Sequence, residues 1–131
     1  MGAFDQLNIA GSGLAMHQTW LDTLSNNIAN VNTVRPTSGP AFQAEYVMAG
    51  PAAGGGVRVT GTALGDPTGR LVYAPDNPQA DAEGYVRQPD IDMASQMSQL
   101  IVAQRGFQAQ VQVVKNAQDV YASALSIGRS A

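Results

Sequence analysis

All seven prolines of this 131-residue chain fall between Pro36 and Pro89. A proline inside a helix removes a backbone hydrogen bond and clashes with the preceding turn, costing about 3 kcal/mol or more, so long helices are confined to the two ends. The chain divides accordingly into residues 1–33, a middle segment 34–90 and residues 91–131. The expected fold class is α+β, with long N- and C-terminal helices packed as a coiled-coil-like pair and a small β-rich middle segment between them.

Periodicity supports that division. At the N-terminal end Leu7, Leu14, Leu21 and Ile28 recur every seven residues, and Ala3, Ala10, His17, Leu24 and Val31 fill the alternating positions of a seam. At the C-terminal end Met93, Met97, Leu100, Gln104, Phe107, Val111, Val114, Gln118, Tyr121, Leu125 and Gly128 step alternately by four and three. Such a series spans about 36 residues, or about 54 Å of helix. A second stripe of Ile101, Val113, Val120 and Ile127 widens the apolar face and predicts contact with more than one neighbour. In the middle, the alternation from Phe42 to Met48 predicts a strand, as do Val57–Thr60, Leu71–Tyr73 and Tyr85–Arg87. The stretches Thr33–Pro40 and Ala49–Gly56 (AGPAAGGG) read as flexible loops.

Charge is scarce. Only 13% of residues are charged and the net charge is −3, where soluble domains carry about 25% charged residues. The first 31 residues hold just Asp5 and Asp22. No basic run offers a surface for nucleic acid or anionic membrane. No apolar stretch approaches the length of a transmembrane helix, so direct membrane insertion is not expected, and no cleavable signal peptide is visible. Isolated helices are marginal in water, and these have almost no Glu–Lys pairs at helical spacing to support them. Each end therefore needs a packing partner. Faces rich in Gln, Ser, Asn and Ala suit burial against other protein chains.

Catalytic chemistry finds little support. With no Cys and one His, neither a conventional zinc site, a thiol nucleophile nor a disulfide can be built. His17 lies on the seam, where packing competes with a ligand or base role. Asp76, Asp81, Glu83, Asp90 and Asp92 match neither a calcium loop nor a paired-carboxylate site. Gly54–Gly56 lacks the Lys and Ser/Thr of a phosphate loop and reads as a flexible tip. No enzyme activity, cofactor or metal is expected. The unusual polar feature is Asn26, Asn27, Asn30 and Asn32, which reads either as a capped helix end or as amide contacts to neighbouring subunits.

Several stretches together resemble the bacterial flagellar basal-body rod proteins, most closely the small proximal-rod branch. Leu24–Thr33 (LSNNIANVNT) is similar to the Asn-Leu-Ala-Asn signature at the end of that family's first helix, with Ile28 in place of Leu. The longer connection Val34–Pro40 before Ala41-Phe42, and above all Leu71–Val86 (LVYAPDNPQADAEGYV), resemble the proximal-rod branch. Arg105–Gln110 (RGFQAQ) is similar to the C-terminal signature, and Leu125–Arg129 (LSIGR) to the closing residues. Only Ala49–Gly69 is unremarkable.

The resemblance implies a structural subunit that polymerises into the axial drive shaft, with paired helices in a core layer around the export channel and the middle segment outside. Implied partners are other rod proteins, the rod-to-ring adaptor, the basal-body ring and the flagellar type III export apparatus, with assembly in the periplasm. The expected assembly interface comprises Leu7, Leu14, Leu21, Leu24, Asn27, Ile28, Asn30, Leu100, Phe107, Val111, Val114, Tyr121 and Leu125. A non-catalytic helical hairpin that binds a single partner is the alternative.

Overall fold

Helix α1 (Ala3–Ala29) starts where the Asp5 carboxylate accepts the Gly2 N–H at 3.0 Å, an acid in the first turn that complements the helix dipole. The structure is a computed structural model and describes residues 2–130. Met1 and Ala131, the outermost positions of the segments 1–33 and 91–131, lie outside the described residues, as does the side chain of the seam residue Ala3. The helix stops at Asn30, whose backbone N–H reaches the carbonyls of Asn26 and Asn27 and whose side chain donates to Asn26 O at 2.9 Å. Thr33 Oγ1 then donates to Asn30 Oδ1 at 2.9 Å, turning the chain away.

The middle segment holds two antiparallel hairpins. Strand β1 (Glu45–Pro51) pairs with β2 (Val57–Leu64) in the register Glu45↔Leu64 to Pro51↔Val57, with a bulge between Met48 and Ala49. Strand β3 (Arg70–Tyr73) pairs with β4 (Tyr85–Gln88), Tyr73 opposite Tyr85. Arg35 adds a rung beside β4 through two backbone bonds of 2.8 Å with Arg87.

Two sequence expectations are corrected in this segment. Phe42–Ala44 form no strand, because Ala44 O accepts the Gly65 N–H at 2.7 Å and Ala41 N–H goes to Pro67 O, both outside a ladder. Nor is Ala49–Gly56 one flexible loop: its first three residues complete β1, and its tip is docked. Gly54, Gly55 and Gly56 adopt φ of 94°, 101° and 86°, which only glycine takes without strain. The tip lies so close to α1 that a Cβ on Gly56 would collide with Ser12 Oγ. Ser12 Oγ accepts the Val57 N–H at 3.0 Å while donating to Ile9 O.

Helix α2 (Met93–Ser130) is 38 residues long, or about 57 Å, and runs antiparallel to α1. The pairing is fixed by Asn27 against Gln96, His17 against Gly106, Gly13 against Gln110 and Phe4 against Tyr121. This differs in part from the stripe read off the spacing. Met93, Met97, Gln104 and Gln118 are exposed, while Gln96 and Ala103 are buried and Gly106, Gln110 and Ala117 are half-buried. A straight helix drifts about 20° per heptad against a strict seven-residue repeat, so over five heptads the seam cannot stay on one face.

The core is small. Ala10, Thr23, Leu24, Asn27, Gln96 and Ala103 are buried on the two helices, and Ala41, Val86 and Pro89 in the linker and second hairpin. Accessible area is 8229 Å² for 13.6 kDa, about a quarter above the ~6,600 Å² usual for a monomer of this mass.

Candidate assembly surface

The helix pair is held most firmly at the Asn27 end. Asn27 is fully buried, and its amide behaves as a piece of backbone: Nδ2 donates to Glu45 O at 2.8 Å, and Oδ1 accepts the Glu45 N–H at 2.9 Å. Nδ2 also donates to Gln96 Oε1 at 3.1 Å. One side chain thus ties α1 to the start of β1 and to the first turn of α2. Asn30 caps α1. The asparagine run therefore serves a capped end at Asn30 and an internal joint at Asn27.

Further along, close approach replaces hydrogen bonding. A Cβ on Gly106 would collide with His17 Nε2, and one on Gly13 would sit 2.9 Å from the Gln110 side chain. His17 is anchored by its Nδ1–H, which donates to Gly13 O at 2.8 Å, since a carbonyl can only accept. His17 is a half-buried packing residue at the crossing.

At the far end the packing thins. Phe4 meets Tyr121 edge-on at 5.3 Å, and every described residue from Ala122 to Ser130 is exposed. Between the helices there opens a groove of about 590 Å³, lined by Gln6, Ile9 and Ala10 of α1 and by Gln110, Val113, Asn116, Ala117 and Val120 of α2. The second apolar stripe lies open along α2, with Ile101 48%, Val120 65% and Ile127 69% exposed.

The expected interface residues fall into three groups. Leu24 and Asn27 are buried within the chain. Leu7, Leu14, Leu21, Ile28, Asn30, Leu100, Phe107, Val111, Val114 and Tyr121 are half-buried, and Leu125 is exposed. Sequence reasoning missed Ser12, Gln96 and the glycines at 13 and 106; a glycine inside a helical pattern was the available signal for the last two, shared by Gly11 and Gly128, where a Cβ would meet nothing within 4 Å, and nothing marked Ser12 or Gln96.

The acidic residues hold turns together. Asp81 accepts the N–H groups of Tyr85 at 2.8 Å and Glu83 at 3.1 Å and the Thr37 hydroxyl at 2.9 Å. The Tyr85 bond foremost holds its carboxyl below the ordinary range. Asp66 is likewise lowered, chiefly by the Thr68 N–H. Among the described residues no group of three or more potential ligands could hold a metal ion, and no helix is long and apolar enough to cross a membrane.

Two long antiparallel helices bracketing paired hairpins, with an apolar face left open, define a chain built to pack against others. Two family models match its ends. The one described as flagella basal body rod protein covers residues 7–37, and the one described as flagellar basal body rod FlgEFG protein C-terminal covers residues 82–127. The chain belongs to the flagellar basal-body rod protein family and is a structural rod subunit located in the basal body. It is 34% identical over 134 residues to the flagellar basal-body rod protein FlgC of Escherichia coli O6:H1, covering 98% of this chain and all of that protein. With the FlgC proteins of Yersinia enterocolitica and Bacillus subtilis it shares 36% and 31% identity, in each case over 98% of this chain and the whole of the relative.

Proposed function

We propose that this chain polymerises with other rod proteins into the proximal part of the axial shaft, its helices in a core layer around the export channel. The observation that carries this reading is the apolar surface left open along α2, where Ile101, Val113, Val120 and Ile127 are each about half exposed or more. A shaft of repeated subunits supplies the missing neighbours through head-to-tail contacts that do not close on themselves. The segments 1–33 and 91–131 form the core layer, and 34–90 forms the outer part. The half-buried seam from Leu7 to Tyr121, with Leu125, makes the subunit contacts, while Leu24 and Asn27 hold the pair in shape from within. The subunit is non-catalytic. It passes through the flagellar export apparatus, assembles in the periplasm and adjoins the rod-to-ring adaptor and ring.

Ile101→Asp tests this. Its side chain is half exposed, so the monomer loses only about 1 kcal/mol and stays folded. Basal bodies purified from cells carrying it should lack a completed rod in electron micrographs, although the variant is still exported. Normal rods overturn the assignment of this open surface to subunit contacts.

A further inference from the structure

Building on the rod reading, we propose that the C-terminal end of α2, residues 122–130, seats in the groove between α1 and α2 of a second copy of this chain, forming a head-to-tail contact.

The dimensions agree. The groove runs along α2 from Gln110 to Val120, about 15 Å, and the exposed end from Ala122 to Ser130 is about 13 Å of helix. Their surfaces are complementary too. Ile9, Ala10, Val113, Ala117 and Val120 give the groove an apolar floor. Ala122, Leu125, Ser126 and Arg129 share one face of the projecting end, so Leu125 offers a single large knob between small residues that allow close approach. The projecting end carries Arg129 and no acid, whereas Asp5 and Asp119 lie beside the groove in sequence and helical position. The area also fits. The excess accessible surface is on the order of 1,600 Å², close to the two patches of about 800 Å² that a chain donating to one neighbour and accepting from another would bury. Since each copy has one groove and one projecting end, the contact propagates instead of closing.

The absence of native cysteine makes the test direct. Asn116 and Ser126 are both exposed and stand ten residues apart on one helix, about 15 Å, too far for a disulfide within one chain. Full-length chain carrying Asn116→Cys together with Ser126→Cys, oxidised in purified basal bodies, should run as a ladder of disulfide-linked copies on non-reducing gels. Each single substitution alone should give none. Adding Leu125→Ala should lower the linked fraction about tenfold. If rods assemble but the double variant stays unlinked, links only to a different rod protein, or links equally well with one cysteine, the self-docking proposal fails and the rod reading stands. If the chain never enters basal bodies, the rod reading itself fails.

Discussion

The two ends of the helix pair are built on opposite plans. Around Asn27 its buried amide draws α1, α2 and β1 into one joint, beside the buried Leu24, with every polar atom of the asparagine side chain paired inside the chain. Around Phe4 and Tyr121 an edge-on ring contact is the last cross-helix anchor among the described residues, and α2 runs on for nine exposed residues. Hydrogen bonds in a dry site fix geometry strongly, because leaving one partner unmet costs its full desolvation. Apolar surface in water fixes nothing until another surface covers it. The first end specifies the subunit; the second leaves area for its neighbours.

The sharpest way to break this contrast is Asn27→Ala. It strands the Glu45 N–H and carbonyl and the Gln96 amide, so unfolding free energy measured in urea should fall by about 3–5 kcal/mol. A loss under about 1 kcal/mol would make the two ends equivalent. Gly106→Ala forces His17 out of its place and should cost about 1–3 kcal/mol by the same measurement. Ser12→Ala removes the acceptor of the Val57 N–H and should cost about 1 kcal/mol, with faster hydrogen exchange confined to the hairpin tip. At the open end Leu125→Ala should change the isolated chain's stability by about 0.5 kcal/mol or less. A loss there as large as that of Asn27→Ala would mean that the projecting end is already packed in the free chain.

The smallest effect is in acid. The folded chain holds the Asp81 carboxyl below its ordinary value of 3.8, so its ionised form stabilises the fold above that pH and the contribution disappears as pH falls through and below about 4. Asp81→Asn should flatten that part of the acid unfolding curve, and an unchanged curve would show that the turn does not depend on the charge.

Much of this architecture could be read from residue order. Proline placement located the helical ends, and the alternations at Val57–Thr60, Leu71–Tyr73 and Tyr85–Arg87 marked strands that form with somewhat longer bounds. The signature around Leu24–Thr33 pointed to the family that the comparisons show. What escaped depends on three-dimensional approach. Spacing cannot distinguish Met97, which faces water, from Gln96, buried one residue away, because the winning face is set by helix drift and by which residues are small enough to meet. The Gly54–Gly56 run looks like slack until Ser12, more than forty residues earlier, is seen beneath it. Asn27 showed itself as unusual but not as the joint, since its partners lie 18 and 69 residues downstream.

That last separation sets a timetable. As the chain emerges from its N-terminus, α1 and the first hairpin can meet once Glu45 is out, but the joint at Asn27 stays open until Gln96 has followed. Until then α1 lacks its long partner, and closure of that single amide pair sets the register in which the rest of α2 can lie down along it.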